Sequence, residues 1–203
     1  MIYKSYSVED NLSVLKEAVT LFYGENLGLK DDLLKKIKKE NYKTEIHCFD
    51  QEQILSNKEK FFNYFNSDSL FGEKRTFILR EINDKIISDI DYILEKKNDS
   101  KIYLFSNLLD KKSKIINKFE KNNNLIIVPC YNDNDASIRK IINRELKDFE
   151  GLSGNSINMI INSCSLDRIK LNNEIGKIKT FFIDKKISDE NLTKLLNIKT
   201  DDD

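Results

Sequence analysis

The residues whose types and spacing suit chemistry best are Gly24-Glu25-Asn26-Leu27-Gly28-Leu29-Lys30-Asp31. In nucleotide-binding α/β proteins such a turn cradles phosphate with glycine amides, a lysine ammonium and a Ser/Thr hydroxyl on magnesium. Each part is degraded here. Gly24 and Gly28 are separated by three residues instead of four, Leu29 intervenes before Lys30, and Asp31 stands where the hydroxyl belongs and brings negative charge toward the phosphate. The structural reading of the same residues is that Gly24 and Gly28 shape a tight turn and let a helix pack on a sheet. Farther on, Phe77-Ile78-Leu79-Arg80-Glu81 ends where an ATPase carries the acid that holds magnesium and orients water. Arg80 takes that place and Glu81 follows it. Asn107 ends another strand, where such folds place a γ-phosphate sensor. Departures at both metal-dependent positions favour a domain that keeps a nucleotide-binding fold without the chemistry.

Other catalytic sets are scarcely available. The chain has one histidine, His47, and three widely spaced cysteines, Cys48, Cys130 and Cys164, with no paired spacing for zinc and no disulfide framework. His47 lies between Ile46, Cys48 and Phe49 and reads as a strand residue, and Cys48 and Cys130 sit in apolar runs where a thiol acts as a small core side chain. No metal or cofactor is expected. The 34 Lys+Arg balance the 34 Asp+Glu, so excess positive charge gives no ground for bulk nucleic-acid binding, and any basic face must be local. A composition of 39% hydrophobic and 33% charged residues over 203 positions suits a soluble protein of one or two domains. No run approaches the roughly 18 to 20 apolar residues of a membrane-spanning helix, and the start lacks a signal peptide's apolar core, which points to the cytoplasm.

The elements that must position these residues alternate. Strands are expected at Val19 to Gly24, Thr44 to Phe49, Arg75 to Ile82, Lys101 to Ser106 and Leu125 to Cys130. Helices are expected at Leu27 to Lys39, Gln51 to Phe65, Lys85 to Leu94 and Lys111 to Phe119, and from Asp133 through Phe149. Parallel neighbours need crossover connections, so this order implies an open, mostly parallel five-stranded sheet with helices on both faces, an α/β fold. After Phe149 three helical patterns follow without strands, near Ser156 to Ile161, Asp167 to Phe182 and Ser188 to Leu196. The expected division is therefore 1–149 and 150–203.

The order of motifs resembles the delta subunit of the bacterial DNA polymerase III clamp loader. The likeness is carried by Leu21-Phe22-Tyr23-Gly24-Glu25-Asn26, Ser69-Leu70-Phe71, Leu109-Asp110-Lys111-Lys112-Ser113-Lys114, Pro129-Cys130-Tyr131, Leu166-Asp167-Arg168 and Asn173-Glu174-Ile175 with Lys177. It spans nearly the whole chain. The resemblance implies an AAA+ type α/β domain that does not use ATP, a small three-helix lid domain, and a C-terminal helical collar that this chain lacks, so that it reads as a fragment. It implies no intrinsic enzyme activity: nucleotidyl transfer belongs to the DNA polymerase III holoenzyme.

The resemblance also implies a partner and a site. Members of that family bind and open the ring-shaped sliding clamp, the beta subunit, for loading on primed DNA during replication. They assemble with gamma/tau and delta prime subunits in a hetero-pentamer through the collar. The clamp-binding pair matching the family motif is Leu70-Phe71, two large apolar residues between Ser67-Asp68-Ser69 and Gly72-Glu73-Lys74. From the residues alone the pair reads first as local core beside Phe61, Phe62 and Phe65, and the resemblance reverses that preference. Lys111, Lys112 and Lys114, with Lys118 a turn later, form a basic stripe that is a candidate DNA contact or a solvated helix face. Arg168 matches a lid position and is equally a candidate ion-pair partner of Glu174 or a neighbouring acid. The competing reading is an active AAA+ or P-loop ATPase of a replication or repair complex, with Lys30, Glu81 and Asn107 on nucleotide and metal. An adaptor that binds through the lid is a third.

Overall fold

The computed structural model describes residues 1–67, 75–96 and 100–196. Five strands form one sheet: β1 (Val19–Tyr23), β2 (Glu45–Asp50), β3 (Arg75–Arg80), β4 (Lys101–Phe105) and β5 (Leu125–Pro129). Their order is β2-β3-β4-β1-β5, and every pairing is parallel. The helices are α1 (Ser5–Asp10), α2 (Leu27–Glu40), α3 (Gln51–Ser56), α4 (Lys58–Asn66), α5 (Ile87–Glu95), α6 (Lys114–Lys121), α7 (Asp135–Glu145), α8 (Gly154–Cys164), α9 (Arg168–Phe181) and α10 (Asp189–Leu195). This is the expected AAA+ type architecture, a parallel sheet flanked by helices on both faces and followed by a helical bundle.

The chain divides into two compact units, one of residues 1–25 and 30–131, the other of 26–29 and 132–203. In the first, strand side chains alternate between faces. Val19, Leu21, Phe77, Leu79, Ile102, Leu104, Leu125 and Ile127 form one core with Ile54 of α3, Phe61 and Phe65 of α4, Ile90 of α5 and Phe119 of α6. The alternate residues Phe22, Ile78, Phe105, Ile126 and Val128 are also buried, and Phe22 stacks on Phe105 at 4.9 Å. Apolar runs in β1, β3 and β5 follow from this, because a parallel sheet is covered on both sides. At the outer side of β5 the chain's own start adds a short pairing: Ile127 N–H donates to the Met1 carbonyl (2.9 Å) and Tyr3 N–H to the Ile127 carbonyl (3.0 Å).

The second unit has its own core. Ile138, Ile142 and Leu146 around α7 meet Ile160 and Cys164 of α8, Leu171, Ile175 and Ile178 of α9, and Leu192 of α10. Ser153 and Asn134 close capping boxes at the starts of α8 and α7. The boundary expected near Glu150 thus lies inside this unit, because the apolar stripe of α7 packs on α8 and α9.

Local expectations need four corrections. Gln51 to Phe65 is two helices: Asn57 leaves helical geometry at φ −149° and its side chain accepts from Lys60 N–H, starting α4 anew. α6 begins at Lys114, so Lys111 and Lys112 lie in the preceding turn. α1 carries no strong periodicity over its six residues and was not expected. Cys48 is exposed, because β2 is an edge strand. Among the described residues, no helix is long and apolar enough to cross a membrane.

Candidate functional site

The turn after β1 shows what its special residues do. Gly24 has φ +130°, and a Cβ there would meet the Cys130 carbonyl oxygen at 2.4 Å, so no L side chain fits. Lys30, one turn into α2, is buried. Its ammonium donates to the carbonyls of Gly24 (2.8 Å) and Ser106 (2.7 Å) and reaches Asn107 Oδ1 at 3.4 Å. The charge that would meet a phosphate is therefore directed at main-chain oxygens that end β1 and β4. Burial pushes the Lys30 ammonium below its usual pKa of 10.5.

The structure brings Lys30 and Asn107 together, and Gly24 N–H also donates to the Asn107 carbonyl at 3.3 Å. Glu81, the remaining member of the ATPase set, is exposed just past β3, in left-handed backbone at φ +58°. Arg80 is turned to the β2 edge, where its Nε and Nη2 donate to the two Asp50 carboxylate oxygens at 2.7 and 3.1 Å. Asp31 is exposed. Among the described residues, no group of three or more His, Cys, Asp or Glu side chains could hold a metal.

In the second unit, the remaining phosphate-loop residues meet an arginine. A Cβ on Gly28 would lie 2.6 Å from Cβ and Cγ of Arg168, so only glycine lets the arginine stem lie on the helix start. The guanidinium is held by Asp133: Nε donates to Oδ2 (2.9 Å) and Nη2 to Oδ1 (2.7 Å), with both side chains 4% exposed or less. Asp133 also accepts from Asn26 Nδ2 (2.8 Å) and Ser137 Oγ (2.7 Å). Asn26 Oδ1 in turn accepts from Leu29 N–H at 2.9 Å and caps α2. Burial alone would raise the Asp133 pKa, but the bonds from Arg168, Ser137 and Asn26 hold it below the usual carboxylate value. Glu174 is not the partner of Arg168; it pairs with Lys177 at 2.5 Å. Asp133 was expected only as a helix-start residue, and the buried pair spans 35 positions that no spacing rule connects.

The Lys111 stripe is smaller than its sequence suggests. Lys111, Lys112 and Lys114 are exposed, whereas Lys118 is paired with Asp91. Asp84 accepts from Ser113 Oγ (2.6 Å), Lys114 N–H (3.0 Å) and Ile115 N–H (3.1 Å), which caps α6 from the short 3-10 turn Asp84–Ile86. The first turn of α6 is therefore occupied by a carboxylate of the chain itself. His47 is a strand residue whose ring meets the Tyr64 hydroxyl, 2.6 Å from Nδ1, and Glu45 at 3.3 Å.

Leu70 and Phe71 lie outside the described residues. The residues flanking them are joined: the Arg75 guanidinium, largely buried at the start of β3, donates to the carbonyls of Tyr64 (3.1 Å), Phe65 (3.2 Å) and Ser67 at the end of α4. This arginine adds donors at the end of a helix, where the last turn's carbonyls lack intrahelical partners; the Tyr64 carbonyl also accepts from Ser67 Oγ at 2.7 Å. The sequence reading missed it, since an arginine at a strand start looks like an ordinary surface residue.

No family model matches this chain, and no curated protein matches it in sequence. Solved structures do match. The Bacillus subtilis DNA clamp loader delta protein superposes with a TM-score of 0.63 at 16% identity, over 97% of this chain and 63% of that one. The Thermotoga maritima RuvB Holliday junction branch migration motor gives 0.58 at 13% identity, over 96% of this chain and 66% of that one. A Rhizobiales Trip13 structure gives 0.51 at 12% identity, over 97% and 82%. The chain spans less than two thirds of the length of the first two structures. At these identities the likeness is one of fold, and it includes the fold of a clamp-loader delta protein.

Proposed function

We propose that this chain is the AAA+ type portion of a clamp-loader delta subunit, a non-catalytic module that binds a ring-shaped sliding clamp and opens it for loading on primed DNA. The observation that carries the reading is the state of Lys30. An ammonium buried against the Gly24 and Ser106 carbonyls supports the sheet-to-helix turn, and pulling it toward a phosphate would leave two acceptors without their donor. Its sequence neighbour Gly28 is under the stem of Arg168, whose guanidinium already has Asp133. Together with Asp31 in place of a hydroxyl and Arg80 in place of a magnesium-binding acid, these contacts support a fold kept for shape.

Leu70 and Phe71 would supply the clamp contact. An aliphatic and an aromatic anchor filling a pocket account for roughly 2 kcal/mol or more each when truncated. The tie from Arg75 to the end of α4 would give their segment a fixed base. Binding opens a ring only when it favours the open over the closed form, so the anchors must act with further contacts that differ between the two states. Gamma/tau and delta prime subunits are the partners that this reading implies. Lys111, Lys112 and Lys114 are the residues we assign to any DNA phosphate contact.

The test is binding of this chain to the sliding clamp of the same organism, beside the Leu70→Ala/Phe71→Ala double variant, with folding of both followed by circular dichroism. The proposal expects wild type to bind and the folded double variant to lose about a hundredfold or more. Equal binding by both, or binding by neither, overturns it.

A further inference from the structure

The sheet has two outer edges, and the chain treats them differently. The β5 edge is covered by Met1 and Tyr3 through main-chain hydrogen bonds. The other edge strand, β2, pairs with β3 alone, and among the described residues no hydrogen bond reaches the outward main-chain groups of residues 46–49. Open edges are normally shielded by charge, bulges or a covering segment, since their free N–H and C=O groups template another strand.

A groove of about 920 Å3 lies along this edge. Four consecutive β2 residues, Ile46 to Phe49, line it. Consecutive strand side chains point to opposite faces, so a groove touching all four must follow the strand's edge rather than one face of the sheet. The facing wall is polar, with Asn57 capping α4 and Lys60 and Asn63 on that helix at three-residue spacing. Between the walls are aromatic rings: His47 meets Tyr64 edge-on at 4.8 Å, and Phe49 meets Phe61 at 5.2 Å. Among the described residues that line the groove, Lys60 is the only lysine or arginine and none is an aspartate or glutamate, and among the described residues its ammonium has no ion pair.

We propose that the β2 edge and its groove dock an extended, acidic peptide segment of a partner protein as an added strand. Main-chain pairing with residues 46–49 would supply the affinity, alternate apolar side chains would rest on the rings, and a carboxylate would meet Lys60. A small ligand would leave the strand edge unpaired. Among the described lining residues a nucleic acid would find one cation where its affinity needs several. This proposal does not depend on the clamp reading.

The probes are capped, fluorescently labelled hexapeptides alternating Val or Tyr with Glu, and matched sets carrying Gln or Lys in place of Glu, titrated onto the full chain by anisotropy. Amide hydrogen exchange of residues 46–49 is followed in parallel. The Glu set is expected to bind and slow exchange at 46–49, with the Gln set about threefold weaker, as an exposed ion pair allows. Lys60→Gln, an exposed change that removes no partner, erases the difference between the sets. N-methylation of alternate peptide amides along one edge abolishes binding, and along the other edge leaves it unchanged. The proposal is overturned if no Glu peptide slows exchange at 46–49, or if both N-methylated sets bind alike. It is equally overturned if sedimentation shows self-association that protects 46–49 without peptide, which would make a second copy the occupant.

Discussion

Replacing Lys30 by methionine separates the two roles a lysine can have at this turn. Lys30→Met keeps much of the apolar stem and deletes the ammonium that bonds the Gly24 and Ser106 carbonyls. Each stranded buried acceptor costs about 1–3 kcal/mol, and relief of the buried charge offsets part of the sum, leaving a loss of about 3 kcal/mol. For a chain of this size that lowers Tm by about 6–12 °C. The pH dependence supplies an independent handle. Because burial lowers the folded-state pKa of Lys30 below 10.5, the unfolded chain binds the extra proton between the two values. Wild-type stability therefore gains from Lys30 as pH rises through that window, and the gap to Lys30→Met widens. The difference between the two proteins removes the tyrosines, such as Tyr103, whose hydroxyls burial holds protonated. Urea unfolding from pH 7 to 10, with and without magnesium nucleotide, measures all of this. The reasoning is refuted if Lys30→Met unfolds at the wild-type midpoint while erasing a nucleotide-induced stabilisation, which for a working site at a hundred times Kd would be about 2.7 kcal/mol.

Three other changes test the same structure. Arg168→Met leaves the Asp133 carboxylate buried and unpaired and should cost about 3–5 kcal/mol in urea unfolding at pH 7. Because Asp133 is held below its usual pKa, its contribution is present above that value and lost as pH falls through the folded one, so the cost should shrink in acid; a cost unchanged down to pH 3 contradicts the pair. Gly24→Ala places a Cβ 2.4 Å from the Cys130 carbonyl at φ +130°, and should lower stability by about 2–3 kcal/mol by thermal unfolding, while the exposed Gly154→Ala, with nothing within 4 Å, should change it by less than about 0.5 kcal/mol. Reversing Lys111, Lys112 and Lys114 to glutamate should leave folding intact and, if they meet phosphates, reduce the slope of log affinity for primed DNA against log salt by about 2 to 3.

The strands were legible because a parallel sheet covered on both faces needs continuous apolar runs, and β1, β3, β4 and β5 begin and end within two residues of where those runs do. α9 and α10 were legible from their spacing and from Asp167 and Ser188 at their starts, and α8 from its spacing, although its Ser153 cap went unread. What failed depended on contacts distant in sequence or on competing local signals. Asn57 interrupts an apolar stripe that continues through Phe61 and Phe65, so periodicity overran the cap. The Lys111 turn looks helical until Asp84, nearly thirty positions earlier, fixes the first capped residue. At the candidate site the lysine could be read from the motif but its acceptors could not, because the Ser106 carbonyl arrives from 76 positions away on another strand. The same holds for Arg168 and Asp133, which are 35 positions apart, whereas Glu174 lies nearby in sequence.

Ring opening is the central claim, and release of a clamp from closed DNA measures it most directly. A labelled sliding clamp of the same organism, loaded on a nicked circular DNA, is mixed with excess of this chain, and its loss from the circle is followed by gel filtration. Wild type should speed release well above the spontaneous rate, and the folded Leu70→Ala/Phe71→Ala variant should leave that rate unchanged. Binding of the clamp by wild type without faster release would contradict the account, because a ligand that holds open and closed rings equally opens neither.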